Sequence, residues 1–392
     1  MFGSFKNGHL RNVLLKSLNY GVLIFLVLFF ALPSSKGVNT AFYLIVLLPC
    51  LLLFKELIKT KGLSNALLPI ILTVLFWAVF SVVSLDANGW ENVAKRFRHA
   101  LYIITFIVII YYVLSNKTIG VKNLIVLVFG LATVYSLYSF IDCYFISDHN
   151  FSTRLFPVLR LDSPIFMSII LVVFSVPLLS DAFKNNKKMM FVFLLFIVSF
   201  FLYFYNSRAG IVAMIFGVLS IFLTIDLKGK KAFAVGIILL MLMAVVIGFN
   251  YGNFFVRGGS YRLEIWFSSI QKMLDCGLLL GCGLGGNSEI TIGDGKVFQH
   301  SHNIFLSHLV NTGLFGLISL LGLLVLVIVK GLKNHSIMVY GLLAGLVGLM
   351  FDGKSLITNP NAIWLIFWLP LVIICWENNN NKTSVTKFNE ND

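Results

Sequence analysis

Lys187-Lys188-Met-Met-Phe-Val-Phe-Leu-Leu-Phe-Ile-Val-Ser-Phe-Phe-Leu-Tyr-Phe-Tyr205-Asn-Ser-Arg208 decides the fold. From Met189 to Tyr205 it carries no charge and only one small hydroxyl, with basic residues at both ends. Wound as a helix, such a run approaches the roughly 30 Å of a bilayer's hydrocarbon core. In lipid the backbone must satisfy its own hydrogen bonds, so the run is a helix or part of a closed barrel. A barrel strand alternates in polarity over about ten residues, and neither this run nor Leu101–Leu114 does. The rest of the chain agrees. Of 392 residues 58% are hydrophobic and 12% charged, against roughly 25% charged in a soluble domain. The reading is an all-α integral membrane protein.

Working outward gives about twelve transmembrane spans, at 15–32, 39–54, 65–84, 100–115, 123–143, 163–180, 189–205, 211–225, 232–249, 304–329, 337–351 and 360–375. The first could be misread as a signal peptide, because Ala31-Leu-Pro-Ser-Ser loosely resembles a cleavage site. Its removal would leave an odd number of spans and upset the charge pattern. Even-numbered loops and both termini, counted with Lys16, hold 18 of the 30 Lys+Arg and 6 of the 16 Asp+Glu, a net of +12 against +2 on the other side. By the positive-inside rule the basic side is cytoplasmic and both termini lie there.

Lysine and arginine divide differently. Seventeen of 22 lysines fall on the basic side, whereas seven of eight arginines (Arg96, Arg98, Arg154, Arg160, Arg208, Arg257, Arg262) fall on the other. Arginine offers a planar fork of donors matched to phosphate and carboxylate oxygens. Its placement against the topogenic bias points to an anionic ligand at the outer face. The alternative is binding to lipid phosphates, or pairing with outer carboxylates such as Asp148 and Glu264. Among five cysteines no metal spacing occurs; Cys276 and Cys282 are both outside, where either a disulfide or plain apolar contact would suit them.

Most loops are short. The exception is the large outer loop 250–303, the one extramembrane segment long enough for structure of its own. Within it Ser260–Leu274 reads as an amphipathic helix, with Leu263, Trp266, Phe267, Ile270 and Leu274 at spacings of three and four. Such a helix lies on the membrane surface or docks over the mouth of the bundle. Cys276-Gly-Leu-Leu-Leu-Gly-Cys-Gly-Leu-Gly-Gly286 follows as a flexible turn. A smaller outer loop spans about Asp148 to Asp162. The tail 376–392 is polar, low in complexity and expected to be disordered.

Three motifs can carry chemistry. Asn206-Ser-Arg208-Ala-Gly holds an arginine in a tight turn at the lip of two helices, where it meets a lipid-borne phosphate or simply snorkels. Arg262 opens the surface helix in Tyr261-Arg-Leu-Glu-Ile-Trp266. Two arginines converging on a pyrophosphate would neutralise a leaving group as its charge develops. His300-Ser-His302-Asn303 precedes span ten. A histidine there suits removal of a proton from a sugar hydroxyl, or it caps or packs a helix. No metal is expected, because the outer carboxylates are scattered along the chain.

In this order and on this side of the membrane, the motifs resemble the bacterial O-antigen ligase family and the related O-antigen polymerases. Ser-Arg-Ala/Gly lies between two spans; Arg-Leu-Glu-x-Trp opens a long outer loop; a Leu-Gly-x-Gly-x-Gly turn, His-x-His-Asn and Gly313–Gly316 follow. The resemblance covers about residues 200–320, and the first half only through topology. One position departs: relatives often have Pro where this chain has Gly277. The resemblance implies transfer of a glycan from undecaprenyl pyrophosphate to lipid A–core oligosaccharide, at the periplasmic face of the bacterial inner membrane, with no cofactor. It further implies Arg208 and Arg262 on the pyrophosphate and His302 acting on the acceptor. Arg154, Arg160, Asp162, Asp352 and Lys354 stand second as glycan or phosphate contacts, with His300 and Asn303 beside His302. Partners are then the lipid-linked donor, the lipid acceptor and membrane lipids, and no nucleic acid.

Two other readings compete. An O-antigen polymerase uses the same donor but extends another lipid-linked repeat. A flippase for that lipid-linked glycan would need charged residues and broken helices near the midplane, whereas here ionisable residues collect at the outer rim. Whichever reading holds, Arg208, Arg262 and His302 are expected to surround one outward-facing cavity.

Overall fold

The computed structural model describes residues 8–54, 57, 63–161, 163–224, 261–286 and 288–389. The expected ninth span (232–249), the start of the large loop with Arg257, and Asp162 lie outside the described residues. Helices α1 (Gly8–Ala31), α2 (Ser35–Leu52), α3 (Leu63–Val79, continued by a tighter turn at Phe80–Ser84), α4 (Leu85–Ser115) and α5 (Val121–Ile141) make up the first half. The second half holds α6 (Pro164–Lys184), α7 (Lys188–Tyr205), α8 (Arg208–Thr224), α9 (Arg262–Cys276), α10 (Ile304–Lys333), α11 (Met338–Leu349) and α12 (Leu369–Asn389), the last entered through a wide turn at Trp364–Trp368. Among the described residues seven helices are long and apolar enough to cross a membrane, and three further apolar helices are shorter. Every expected span that falls on described residues coincides with a helical element. The protein is an all-α, multi-pass membrane protein.

Helix α6 is its axis. Ser163 caps its first turn by accepting from Phe166 N at 3.4 Å, and Pro164 follows, where a missing N–H costs nothing. Nearly every residue from Met167 to Ala182 is buried, against α5, α7, α8 and α11. In lipid such contacts rest on close backbone approach, which small residues permit. Gly345 and Gly348 of α11 lie against Val173 and Ile169 of α6, and Gly217 of α8 against Val176.

Helix α9 begins two residues later than the sequence indicates. Ile265, Ser269 and Met273 face the protein, while four of the five residues of the expected apolar stripe (Leu263, Phe267, Ile270, Leu274) are turned outward, with Leu263 79% exposed, and the fifth, Trp266, packs inward against the Ile265 cluster. That arrangement suits a helix on a membrane surface rather than a plug over the bundle. A two-stranded ribbon, β1 (Ile290–Thr291) with β2 (Val297–Phe298), backs it through Ile290 and Ile292 on Ile265.

The glycine-rich turn is not flexible. Helix α10 breaks at Gly313, whose φ of 62° and ψ of −163° are non-helical, and the main-chain groups released there pair with the turn. Leu314 N donates to Leu278 O at 3.0 Å, Phe315 N to Leu279 O at 3.3 Å, and Cys282 N to Val310 O at 2.7 Å. Non-helical backbone survives near a membrane only when paired in this way. A Cys276–Cys282 disulfide closes the turn. Gly281, at φ +65°, passes so close that a Cβ would sit 2.5 Å from Val310 O. Gly281→Ala should therefore lower the apparent melting temperature in detergent, while Gly293→Ala, which meets nothing within 4 Å, should leave it unchanged.

The tail also differs from expectation. Helix α12 runs on to Asn389 rather than ending at Trp376. Its extra turns have partners: Asn379 Nδ2 donates to Tyr111 OH at 2.8 Å, Asn334 Nδ2 to Asn378 Oδ1 at 2.8 Å, and Ser336 to the Glu377 carboxylate. Polarity at Glu377, Asn378 and Asn379 serves contact between helices, which composition does not reveal.

Candidate functional site

The α7–α8 turn places Arg208. Asn206 takes the left-handed conformation (φ 45°), which asparagine tolerates better than most residues, and lets the chain reverse within two residues. Ser207 is buried: its Oγ accepts from Gly210 N at 3.2 Å, capping α8, and lies 2.7 Å from Ser168 Oγ on α6. The smaller loop is tied to the same turn, since Leu155 N donates to Phe204 O at 2.9 Å and Arg154 Nε to Tyr205 O at 2.8 Å. Arg154 is thereby a brace for the turn that carries Arg208, not a residue drawn to the histidines.

Arg262 follows Tyr261, itself left-handed (φ 55°). Its guanidinium lies over the Phe351 ring, 5.7 Å from the centroid. Burial pushes the Arg262 pKa down from its ordinary value; Asp352 pushes it back up, and Arg208 adds to the lowering. Arg262 is thus within electrostatic reach of both Asp352 and Arg208.

Asp352 ties the remainder together. His300 Nε2 and His302 Nδ1 lie 3.4 and 3.3 Å from the same oxygen, Asp352 Oδ1, and Gly353 N donates to it at 2.8 Å. The imidazole rings are 4.2 Å apart. His302, like Asn206 and Tyr261, has a positive φ (48°), uncommon outside glycine and seen mainly where surrounding structure enforces it. Each of the three sequence motifs contains one such residue. The loop bearing Asp352 folds back on its own helix, Trp364 Nε1 donating to Thr358 O and Trp368 Nε1 to Leu356 O. Ser307 Oγ of α10 fastens it by donating to Gly353 O at 3.0 Å.

Burial alone would push the Asp352 carboxyl up. Hydrogen bonds from the two histidines, the charge on His302 and the Gly353 amide overcome this and hold it well below the usual carboxylate range. A depressed pKa means a contribution to stability that is fully present above the unfolded value of about 3.9 and is lost as pH falls through the lower folded value. Asp352→Asn should therefore flatten the acid limb of apparent melting temperature below about pH 4, measured in detergent against the parent protein.

The two histidines differ in access. A neutral imidazole that donates through one nitrogen keeps a basic lone pair on the other. For His300 that other nitrogen, Nδ1, is buried without a partner. His302 is 35% exposed at its side chain, so its Nε2 is the lone pair a ligand can reach. Asn303 is absorbed structurally: its Oδ1 accepts from Phe305 N and Leu306 N and caps α10.

Beside this cluster opens a cavity of about 450 Å³, lined by His300, His302, Asp352, Arg160, Lys354 and polar residues of two loops. Of the three residues expected around one cavity, His302 alone lines it; Arg262 is within electrostatic reach of Asp352, and Arg208 of Arg262. Ser35, Thr358 and Asn361 also line it, and sequence reading passed over them. Their only signal was the density of small polar residues between two apolar spans. His300, His302 and Asp352 also form the one His/Cys/Asp/Glu group among the described residues whose ligand atoms, all within 4.8 Å of each other, could hold a metal ion. The scattering of carboxylates along the sequence therefore does not extend to the fold. The donor set suits a divalent ion, but Arg262 beside Asp352 raises the electrostatic cost of a further cation there.

Fold and site together define a multi-pass helical membrane protein with arginines, histidines and one carboxylate gathered on interhelical loops. Residues 191–321, about a third of the chain, match the model of the O-antigen ligase family, and that stretch is similar to it. The matched stretch contains Arg208, Arg262, His300 and His302, and stops short of Asp352. No curated protein matches the chain significantly.

Proposed function

We propose that the protein is an O-antigen ligase, transferring a glycan from undecaprenyl pyrophosphate to lipid A–core oligosaccharide at the periplasmic face of the inner membrane. The observation that supports this is the meeting of two of the three motifs at Asp352, whose oxygen both histidines approach and whose charge reaches Arg262, with Arg208 in turn near Arg262. Arg208 and Arg262 take the donor's pyrophosphate. His302, with Nδ1–H donated to Asp352, uses Nε2 to accept the proton of an acceptor hydroxyl. The hydroxyl oxygen forms its bond to the anomeric carbon as the bond from that carbon to the pyrophosphate oxygen breaks. Undecaprenyl pyrophosphate leaves with the bonding electrons, and attack from the opposite face inverts the anomeric configuration. Charge on the leaving group falls to the arginines, so the step needs no metal. Asp352 keeps the imidazole in the productive tautomer and stabilises the imidazolium that forms.

The test supplies purified protein with the lipid-linked glycan and lipid A–core. Glycan on the core supports the ligase. Growth of the lipid-linked chain without transfer to the core would make the protein a polymerase, and neither product would return the question to transport.

A further inference from the structure

His300, His302 and Asp352 are spaced for more than pairing. Asp352 Oδ1 lies 3.4 Å from His300 Nε2 and 3.3 Å from His302 Nδ1, longer than most N–H···O bonds. Both separations match the edge of a tetrahedron of zinc ligands, which is about 3.4 Å when the bonds to the metal are about 2.1 Å. The ligand atoms of the three residues all lie within 4.8 Å of each other, so one ion can reach all of them. Gly353 N donates to the same carboxylate oxygen at 2.8 Å and orients it, as hydrogen bonds to ligating carboxylates commonly do.

The donor set selects the kind of ion. Two imidazole nitrogens and one carboxylate oxygen suit zinc and its transition-metal neighbours, whereas magnesium and calcium prefer shells made of oxygen. With three ligands from the described residues, a fourth position stays open. All three residues line the cavity of about 450 Å³, through which an ion enters and where a water completes its shell. Two features limit the affinity. Arg262 is within electrostatic reach of Asp352, which makes a further cation more costly. His300 Nδ1 is buried with no partner among the described residues, whereas a metal-bound imidazole ordinarily donates its other N–H, and loss of that acceptor costs about 10- to 100-fold in affinity. The arrangement suits an ion that binds and leaves rather than a permanent structural metal.

We propose that His300 Nε2, His302 Nδ1 and Asp352 Oδ1 form a reversible site for a divalent transition-metal ion of the zinc class, and that the bound ion switches transfer off. Binding follows from the geometry alone; the inhibition rests on the transfer reaction proposed above. In that reaction His302 keeps its proton on Nδ1, donated to Asp352, and accepts the acceptor's proton at Nε2. An ion on the Nδ1 lone pair moves the imidazole's one proton to Nε2, where no basic lone pair then remains. The ion also takes up the Asp352 oxygen that would have stabilised the imidazolium.

Binding is measured apart from turnover, so that its failure is separate from failure of the transferase reading. Full-length protein without an affinity tag, in nanodiscs and freed of metal with EDTA, is titrated with Co²⁺, with empty nanodiscs as the blank. The visible absorption of four-coordinate Co²⁺ should appear, saturate at one ion per protein and vanish on addition of Zn²⁺, while excess Mg²⁺ leaves it unchanged. His300→Gln, His302→Gln and Asp352→Asn, each checked by melting temperature, should weaken binding at least about tenfold. Arg262→Gln removes a charge but no ligand, and should tighten it. No Co²⁺ absorption in the parent protein, full binding in the three ligand variants, or an equal loss in Arg262→Gln would overturn the site. In the transfer assay, Zn²⁺ at the concentration that displaces Co²⁺ should stop the parent protein, and EDTA should restore it. Transfer undiminished with the ion bound would overturn the switch and leave the site standing. Binding as expected in a protein that transfers under no condition would count against the transferase reading alone.

Discussion

His302→Ala should slow glycan transfer by about 100- to 10,000-fold in kcat, the range a positioned general base supplies, with the donor's KM little changed. His302 is the histidine with an accessible second nitrogen, and its Nδ1 is directed to a carboxylate that hydrogen bonds keep ionised despite its burial. His300→Ala should cost far less, because its second nitrogen is buried and its contribution is to hold Asp352. Single-turnover rates with enzyme in excess over lipid-linked donor, alongside a melting temperature for each variant, separate chemistry from folding. A His302→Ala protein that is folded and transfers at the parent rate would remove His302 from the mechanism. A larger loss in His300→Ala would exchange the two roles.

The second large effect concerns the leaving group. Arg208→Gln and Arg262→Gln should each lower kcat by about 100- to 1,000-fold, as removal of a donor to developing charge does elsewhere. Arg262 and Arg208 lie near enough for each to disfavour the other's charge, a repulsion that an incoming pyrophosphate relieves. The double variant should therefore fall short of the product of the single losses, since both act on one ligand. Arg262→Lys should recover only part of the rate, for an ammonium on a flexible stem replaces a planar fork that lies over Phe351. Release of undecaprenyl pyrophosphate is the direct readout. Unchanged release in both single variants would place the donor's phosphates elsewhere.

Hydrophobic runs bounded by charge made the helices legible, because a bilayer permits little else. Arg208, Arg262 and His302 stood out in the sequence for a different reason. Each sits at a helix edge beside a polar residue, on the less basic side of the chain, where a charge needs some justification. Asp352 was under-read: its partners lie about 50 residues earlier, and sequence spacing carries no sign of that pairing. The joint lining of one cavity by Arg160 and Lys354 was hidden likewise, because their loops lie far apart in the sequence. Asn303 and Arg154 have a structural use that the sequence does not announce: Asn303 Oδ1 caps α10 and Arg154 Nε braces the α7–α8 turn, and only the geometry of the cap and the brace reveals this. The glycine turn looked loose because glycine permits looseness; in the fold its absent side chains admit the main chain of α10.

That joint imposes an order of assembly in time. Residues 278–282 leave the ribosome before Val310–Phe315, so the turn has no surface on which to settle until α10 has been synthesised and inserted. Until they meet, the amides of Leu314 and Phe315 and the carbonyl of Val310 lack the partners they have in the finished protein. Unsatisfied backbone in lipid costs several kcal/mol per group, so α10 enters the membrane as a helix with a marked site of instability. The turn acts as its late keystone, and a chain delayed at that stage presents a broken helix to whatever quality control surveys the membrane.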